Sequence, residues 1–364
     1  MCCGYQTMIK VLGLALYGPL AASTRYRLGQ YVPGLASMGI DLQIVHLLGD
    51  DYLRGRFSGG SIHFAGIVQS TLARLDDLWR QHDYDLVMLH CELFPLMPGW
   101  MERALIRVPY IYDYDDAFYL KYRNGRLGMA SPFLAHKFDS VMEGATAVTA
   151  GNHVLAQYAK QFNGNTQYLP TVVDIGRYLP QPARRGGPVF TVGWIGSPST
   201  AQYLSELVAP LSVIGQESAL RFIVIGAKAP DIPNVDVVEA DWNESTEVEL
   251  INSFDVGVMP LPDEDWARGK CAFKLIQYMA CAVPVIASPV GAKVDLINSC
   301  CGLIATELQE WIDALRILRD QPARRAEMGE AGRERVKQHY SLDQNLPVLE
   351  KVVSEALFNR GKVS

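Results

Sequence analysis

The sequence predicts an α/β protein of two doubly wound parallel-sheet domains that face each other across a cleft. Three observations carry this prediction. The chain has 364 residues, which is too long for one hydrophobic core of ordinary size. Near-continuous runs rich in Val and Ile alternate with helical patterns, which is typical of parallel sheets covered by helices on both faces. The chain also opens the same strand, turn and helix unit twice, from residue 11 and again from residue 189.

The first half of the chain predicts one Rossmann-like domain, which we assign to residues 1–173. It begins with an apolar strand at Val11 to Leu16, followed by a Gly-Pro turn and a helical pattern that reaches Met38. Four further apolar runs predict strands, at residues 41–48, 85–90, 109–115 and 146–151.

The second half predicts another Rossmann-like domain, at residues 174–344. It opens with VFTVGWIGSPSTAQYL, in which a strand ends at Ile195, a turn begins at Gly196, and Ser199 or Thr200 is the predicted helix N-cap. Further strands are predicted at residues 221–226, 235–240, 255–261 and 283–288. The four prolines of residues 169–190 indicate an interdomain linker. An amphipathic helix at about residues 345–364 is expected to pack back on the first domain.

Composition narrows the class of protein. A net charge of −6 argues against a nucleic-acid partner, because binding to phosphate backbones requires surplus Lys and Arg. Seven cysteines without a CxxC motif favour a reduced, cytoplasmic protein. The first apolar stretch, MIKVLGLALYG, lacks a cleavage site and is interpreted as a strand, and no run has the length of a membrane span.

The stretch ARGKCAFKLIQYMACAVPVIASPVG predicts an apolar helix from Phe273 that runs into an apolar strand, and three cations, Arg268, Lys270 and Lys274, lie at its beginning. Spacing of four residues puts both lysines on one helix face, with Gln277 or Tyr278 continuing that face. A helix N-terminus already carries partial positive charge, so added cations are unfavourable unless an anion binds there. The pattern therefore predicts a phosphate site. The main alternative is that the acids at residues 263–265 neutralise the cations.

The turn GWIGSPST supplies a second candidate for the same anion. Gly196 permits close approach of the backbone, and Ser197 adds a hydroxyl at a helix start. The glycines do not follow GxGxxG, so an ordinary turn is the alternative. Both segments follow strands of one domain, and together they could hold the two phosphates of a nucleotide-sugar.

At these residues the sequence resembles the GT-B-fold glycosyltransferases, specifically the large retaining family numbered four. The resemblance rests on FDVGVMPLPDEDWARGKCAFKLIQYMACAVPVIASPVG, and TVGWIGSPSTAQYL, LPTVVD and VPYIYDYDDAFYL support it. It implies transfer of a sugar from a nucleoside diphosphate donor with the anomeric configuration retained. It also implies that the first domain binds the acceptor, that the second binds the donor, and that no cofactor and no metal are needed.

The sequence departs from the family pattern at its EX7E pair, which aligns with Gly269 and Gln277. The second Glu of that pair commonly binds the donor ribose, and the amide of Gln277 could replace it. A subgroup with the pattern RGKxxxKLxQYMA resembles this chain better, and there the cations carry the diphosphate. The departure leaves the identity of the sugar open.

The resemblance assigns roles to individual residues. Arg268 and Lys274 are the catalytic cations, which stabilise charge on the leaving diphosphate, while Lys270, Ser197 and the backbone at Gly196 bind the donor. Trp242, in the turn DWN, is a candidate for contact with the nucleobase, and a core tryptophan is the alternative.

In the first domain, Asp115 matches a position where relatives often carry His near the anomeric carbon, so it is the third catalytic candidate. Asp113 and Asp116 are expected to bind the acceptor, unless they cap the next helix. The Asp113-x-Asp115 spacing resembles the metal-binding pair of the other glycosyltransferase fold, but we predict no metal site. Arg25 and Arg27 are expected to meet an acceptor phosphate or the donor diphosphate, with surface charges as the alternative. Glu92 and His90 are weaker candidates, and a satisfied buried His is the favoured interpretation of the latter.

The predicted function is transfer of a hexose, with a UDP-sugar as the favoured donor, to a glycan or a lipid-linked acceptor in bacterial surface-polysaccharide or glycolipid synthesis. A nucleotide-sugar epimerase and a non-catalytic nucleotide-sugar-binding partner of another transferase are the alternatives. The basic residues Lys121, Arg123 and Arg126 are too few for firm membrane binding, so only a weak peripheral contact at the inner face of the membrane is predicted.

Overall fold

The computed structural model describes residues 8–57, 64–123, 131–181, 187–291 and 296–358. The chain divides into two compact units. Unit 1 comprises Met1–Thr171 and Asn345–Ser364, and unit 2 comprises Val172–Gln344.

Unit 1 contains a parallel six-stranded sheet. Its strands are β1 (Ile9–Tyr17), β2 (Ile40–Leu48), β3 (Leu86–His90), β4 (Tyr110–Tyr114), β5 (Ala147–Ala150) and β6 (Thr166–Tyr168). Their order across the sheet is β2-β1-β3-β4-β5-β6. All residues of β3, β4 and β5 are buried, which explains their mostly apolar character.

Helices connect these strands. They are α1 (Ala22–Arg27), α2 (Val32–Ser37), α3 (Asp50–Phe57), α4 (Phe64–Trp79), α5 (Gly99–Leu105), α6 (Ser131–Leu134), α7 (Lys137–Gly144) and α8 (His153–Ala159). The predicted helix up to Met38 is interrupted, because a 3-10 turn at Gly29–Tyr31 separates α1 from α2.

Unit 2 contains the second parallel six-stranded sheet. Its strands are β7 (Phe190–Ile195), β8 (Leu220–Ile225), β9 (Asp236–Ala240), β10 (Val256–Met259), β11 (Val285–Ala287) and β12 (Gly302–Ile304). Their order is β12-β11-β10-β7-β8-β9. The central strand β7 is buried along its whole length. One apolar cluster gathers around Tyr278 and Phe254, and another around Trp194 and Phe222.

The helices of unit 2 complete the doubly wound pattern. They are α9 (Val208–Glu217), α10 (Glu247–Ile251), α11 (Asp265–Arg268), α12 (Phe273–Ala280), α13 (Leu308–Asp320) and α14 (Pro322–His339), followed by α15 (Leu342–Phe358). Residues 345 onward of α15 cluster with unit 1, where Leu346 lies so close to Gly34 that a Cβ there would be 2.4 Å from its Cδ2.

The fold prediction is confirmed, since each unit has a parallel sheet with helices in the connections. Two strands, β6 and β12, were not predicted. The predicted N-cap at Ser199 or Thr200 is wrong, because a 3-10 helix at Pro198–Leu207 precedes α9 and no side chain caps it.

The predicted linker at residues 169–190 contains the boundary between the two units, at Thr171 and Val172, and part of this stretch is packed. Leu169, Val173 and Tyr178 are fully buried. The Val173 N–H donates to the Tyr340 carbonyl at 3.0 Å, and the Leu342 N–H donates to the Val173 carbonyl at 2.9 Å. Residues 182–186 of this stretch lie outside the described part of the chain.

Over the described ranges, no helix combines the length and the apolar character that crossing a bilayer requires.

Candidate functional site

The first turn of α12 lies beside the turn that follows β7. Lys274 Nζ donates to Thr200 Oγ1 at 3.4 Å and lies 5.0 Å from the centroid of the Trp194 ring. A Cβ on Gly196 would be 2.4 Å from that ring and 2.7 Å from Lys274 Cε. The structure therefore brings together the two segments that the sequence singled out for phosphate, and only glycine fits at position 196 without displacing its neighbours.

The carboxyl ends of three neighbouring strands meet at this turn. The Gly196 N–H donates to the Ile225 carbonyl at 3.0 Å, and the Gly226 N–H donates to the Ala240 carbonyl at 2.8 Å. Gly226 has φ +81, and a Cβ there would be 2.5 Å from the Gly196 carbonyl oxygen and 3.1 Å from Trp242 Cβ. Ligands of open α/β sheets bind at such strand ends, which is where unit 2 places Gly196 and Trp242.

The start of α12 agrees with the predicted apolar helix, but Lys270 lies outside that helix. The helix begins at Phe273, after Ala272 in the left-handed region at φ 54. Lys270 lies before this reversal, so the predicted helix face shared by Lys270 and Lys274 is wrong. Lys270 Nζ instead lies 5.5 Å from the centroid of the Trp266 ring.

The N-terminus of α12 retains its partial positive charge. Its N-cap residue makes no side-chain hydrogen bond, and its first turn contains no acidic residue. Lys274 is the second residue of this helix, so its ammonium group adds to the positive end of the helix dipole. The arrangement suits an anion with several oxygen acceptors.

Arg268 is paired with acids of its own segment. Its Nε lies 2.8 Å from Asp263 Oδ1, and its Nη1 lies 3.1 Å from Asp265 Oδ1. The hydrogen bond to Asp263 raises the pKa of Arg268, and Arg268 lowers the pKa of Asp263. The neutralisation that was the alternative to a phosphate site thus occurs at Arg268, while Lys274 contacts Thr200 and Trp194.

Gln277 lies three residues after Lys274 and takes part in a buried polar network. Its Nε2 donates to the Tyr178 hydroxyl at 2.9 Å, and that hydroxyl donates to Glu247 Oε1 at 2.6 Å. Trp242 Nε1 donates to the other carboxylate oxygen, Oε2, at 2.7 Å. Two predicted donor-binding residues, Gln277 and Trp242, are therefore linked through one carboxylate.

Glu247 is the residue of this site that sequence reasoning missed. It is 1% exposed, and Arg177 Nη2 lies 3.0 Å from its Oε1. The only sequence signal was an acidic residue at the start of an apolar helical pattern, which ordinarily indicates a helix N-terminus.

In unit 1, Asp113 lies at the centre of a buried polar cluster. Its carboxylate accepts hydrogen bonds from both Nε and Nη2 of Arg27, with 3.1 Å to Nε, and from Thr149 Oγ1 at 2.6 Å. His90 Nδ1 lies 2.8 Å from Asp113 Oδ2. Burial alone would raise the pKa of Asp113, but Arg27 and these hydrogen bonds outweigh it and hold the pKa far below its usual range.

Arg27 and Asp113 are both fully buried, so the surface-charge alternative is wrong for Arg27. Arg27 Nη1 also donates to the Leu169 carbonyl at 2.6 Å. Their predicted contact with an acceptor stays a prediction. The half-buried Arg25 donates to the carbonyls of Pro19 and Leu20, at 2.6 and 2.8 Å.

Asp115 and Asp116 follow β4 and are half-buried. Burial raises the pKa of Asp115. Asp116 Oδ1 accepts a hydrogen bond from the Ala117 N–H at 3.0 Å, at the start of a 3-10 turn. This is a contact with the adjacent residue and not a helix cap, because the N-cap of that turn is Ala117 and no side chain caps it.

A second buried ionic cluster surrounds Lys137 in unit 1. Lys137 Nζ lies 2.8 Å from Glu92 Oε2 and 2.9 Å from Glu102 Oε1. Glu92 is also paired with Lys121. Burial raises the pKa of Glu102 to about 7, and its Oε2 has no hydrogen-bond partner among the described residues.

The basic residues near this cluster are ion-paired within unit 1. Lys121 contacts Glu92, and Arg123 Nη2 lies 2.9 Å from Asp139 Oδ2. Arg126, the third residue of the predicted membrane contact, lies outside the described residues.

A protein-family model matches part of the chain. Residues 205–351 match the model of a family described as glycosyl transferase-like. No match to a curated protein is found.

Solved structures show the same fold over nearly the whole chain. Sucrose-phosphate synthase from Thermosynechococcus elongatus has a TM-score of 0.71 at 15% identity, with 97% of this chain and 100% of that chain covered. HepE of Anabaena in complex with UDP has a TM-score of 0.66 at 15% identity, covering 95% of this chain and 100% of that one. WaaG, a glycosyltransferase involved in lipopolysaccharide biosynthesis, has a TM-score of 0.66 at 14% identity, covering 95% and 99%. The chain therefore has the GT-B fold.

Proposed function

We propose that this protein is a retaining glycosyltransferase that transfers a hexose from a nucleoside diphosphate sugar, preferably a UDP-sugar, to a glycan or a lipid-linked acceptor. The observation that carries the proposal is the convergence of Lys274 with the turn at Gly196, at the carboxyl ends of the strands of unit 2. The glycosyl transferase-like match covers part of this unit, and a similar structure, HepE, was solved with UDP-glucose.

The chemical demand of this reaction is a leaving diphosphate on which negative charge grows as the glycosidic bond breaks. Fixed positive charge at that position lowers the barrier, because it interacts more strongly with the transition state than with the donor. Lys274 and the N-terminal N–H groups of α12 would supply this charge. Lys270 and Arg268 would add to it, and Arg268 would have to exchange its contacts with Asp263 and Asp265 for the phosphate.

The remaining donor contacts would come from the network around Glu247. Gln277 would orient the ribose through its amide, and Trp242 would lie against the nucleobase. Glu247 would fix both side chains through Tyr178 and the indole N–H. Gly196 and Ser197 would offer backbone and hydroxyl donors to the diphosphate.

In unit 1, Asp115 would orient the acceptor hydroxyl, with Asp113, Asp116, Arg25 and Arg27 shaping the acceptor site around it. Retention requires no protein base if the leaving phosphate oxygen accepts the acceptor proton on the same face of the sugar. The transfer would then need no metal ion.

The setting we propose is bacterial surface-polysaccharide or glycolipid synthesis, at the cytoplasmic face of the membrane. Because Lys121 and Arg123 are ion-paired within unit 1, any contact of this stretch with anionic lipid would be weak.

Thermal-shift measurements with UDP, GDP and dTDP and their sugars test donor binding. A ligand at 100 times its dissociation constant should add about 2.7 kcal/mol to the free energy of unfolding. Hydrolysis of the stabilising donor, followed by NMR of the released sugar, then tests activity and retention. Epimerised donor without hydrolysis would favour an epimerase, and stabilisation without any turnover would favour a non-catalytic partner.

A further inference from the structure

The carboxyl ends of β3 and β4 bring together three side chains that can ligate a metal ion. A ring nitrogen of His90, the Sγ of Cys91 and a carboxylate oxygen of Asp115 all lie within 4.8 Å of one another. His90 and Cys91 are each 1% exposed, and Asp115 is half-buried. All three belong to unit 1.

The hydrogen bonds of His90 leave one of its ring nitrogens for a ligand. Nδ1 lies 2.8 Å from Asp113 Oδ2. Nε2 is buried and has no hydrogen-bond partner among the residues that the structure describes, which is costly for a polar atom of a protein interior. Metal-binding histidines typically hold one nitrogen against a carboxylate in this way, which fixes the ring and its tautomer. The satisfied buried histidine that the sequence favoured is therefore satisfied on one side only.

Cys91 is held in a backbone conformation that directs its side chain. Its φ is 68, in the left-handed region, where residues with a side chain are uncommon. Its N–H donates to the Asp113 carbonyl at 3.1 Å, and its own carbonyl accepts from the Tyr112 hydroxyl at 2.9 Å. Strain that the surroundings fix so firmly is characteristic of functional positions.

We propose that His90, Cys91 and Asp115 bind one zinc ion. A nitrogen, a sulfur and a carboxylate oxygen together are a donor set suited to zinc. They do not suit magnesium, which prefers oxygen ligands only. Binding replaces the thiol proton of Cys91 by the metal and releases that proton to solvent. With zinc–ligand bonds of about 2.0–2.3 Å, ligand atoms of a tetrahedral site lie about 3.5 Å apart. Small rotations of Cys91 and Asp115 supply this contraction, and a fourth position remains for water.

The zinc site departs from the expectation that this protein holds no metal. The zinc ion supplies no step of the proposed transfer, which uses the cations of unit 2. Asp115 is also the residue proposed to orient the acceptor, so zinc would compete with that role. Only this competition rests on the proposed function.

Cobalt is the probe for the test, because a thiolate bound to Co²⁺ gives a charge-transfer band in the near ultraviolet. The full-length protein, freed of metal by a chelator, should develop this band at stoichiometric Co²⁺ and lose it on addition of Zn²⁺. Cys91→Ser should abolish the band, and Asp115→Asn should weaken Zn²⁺ binding by about tenfold or more.

The matched control replaces the cysteines at positions 2, 3 and 300 by serine. Cys300 is exposed, and Cys2 and Cys3 lie outside the described residues. This variant should keep the band. Absence of the band from wild-type protein, or its survival in a folded Cys91→Ser variant, would overturn the proposal. Neither readout needs a donor or an acceptor, so failure of the zinc site is distinguishable from failure of the transferase.

Discussion

Gln277 and Tyr178, 99 residues apart in the chain, are joined by a hydrogen bond of 2.9 Å in the interior of unit 2. The Tyr178 hydroxyl donates a hydrogen bond to Glu247, so a carboxylate lies one hydroxyl away from the position where the resemblance expects one. The missing glutamate of the family pattern thus has a carboxylate nearby, supplied by another helix.

This relationship predicts that Tyr178→Phe weakens donor binding. The substitution leaves the buried amide of Gln277 and the carboxylate of Glu247 without their shared partner, at a cost of about 1–3 kcal/mol in the free energy of unfolding. The donor KM should rise more than kcat falls, because the network positions the donor away from the reacting atoms. Tyr114→Phe, which removes a buried hydroxyl hydrogen-bonded to the Leu155 carbonyl of unit 1, is the matched control. An unchanged donor KM in Tyr178→Phe would contradict the network's role.

Restoring the family glutamate should be harmful. In Gln277→Glu two buried carboxylates would face one hydroxyl, so the new carboxyl should have a raised pKa. A carboxyl with a raised folded-state pKa binds its proton more tightly in the native state, so its stabilising contribution is lost as the pH rises. Denaturant titrations should show a loss of about 1–3 kcal/mol at neutral pH and less under mildly acidic conditions. Gln167→Glu, at an exposed position, is the control, and equal pH dependence of the two variants would refute this reasoning.

Lys274→Ala should reduce kcat by about 100- to 1000-fold, the usual effect of removing one preorganised donor from a developing charge. Global stability should change much less than activity, because the ammonium group is only part-buried. Single-turnover kinetics with a saturating donor would measure the chemical step. The exposed Lys351→Ala is the control. A turnover equal to that of wild type would remove Lys274 from the mechanism.

Asp263→Asn removes the negative charge of one of the two acids that contact Arg268. If Arg268 binds the diphosphate, its guanidinium becomes more available, and the affinity for UDP should rise by a few-fold at low salt. The ion pair is exposed and screened by solvent, so the free energy of unfolding should hardly change. Isothermal titration of UDP measures the affinity, and Asp313→Asn, on α13, is the control. Unchanged or weaker binding would place Arg268 outside the phosphate site.

Glu102 predicts a pH dependence of stability in unit 1. Its pKa is raised by burial from 4.5 to about 7, although Lys137 opposes the shift. The folded state therefore binds this proton more tightly than the unfolded state does, and its stabilising effect is present below pH 4.5 and is lost as the pH rises to about 7. Glu102→Gln should remove that part of the slope, on the order of 1–3 kcal/mol. Denaturant melts across this pH range would show it, with the exposed Glu143→Gln as control. An identical slope in Glu102→Gln and wild-type protein would be inconsistent with the assignment.

Much of this architecture is predictable from local patterns. The buried central strands are mostly apolar, and β7 with its glycine turn stands out because it repeats the opening of the chain. β6 and β12 escaped prediction because each has only three residues at or near a sheet edge, too short for a periodic signal. Lys270 was wrongly placed on the face of α12 because Ala272 adopts a positive φ, for which alanine gives no sequence signal.

Contacts between buried polar side chains that are far apart in the chain could not be predicted from the sequence. Arg27 and Asp113 are 86 residues apart, and nothing local shows that both are buried against each other. Glu247 and the cluster of His90, Cys91 and Asp115 depend in the same way on which strand ends and helices the fold makes neighbours.

The Tyr278 hydroxyl, fully buried, accepts the N–H of Ile195 at 2.9 Å, while a Cβ on Gly257 would be 2.3 Å from its ring. The hydrogen bond and the packing of the Tyr278 ring fix helix α12 against the last residue of β7. Lys274 and the glycine turn should therefore move together as one rigid unit. The Ile195 amide should be among the slowest to exchange with deuterium. Selectivity among donors would then depend on which groups fit this rigid unit. Neither Lys274 nor the glycine turn can move away without breaking the hydrogen bond between Tyr278 and Ile195.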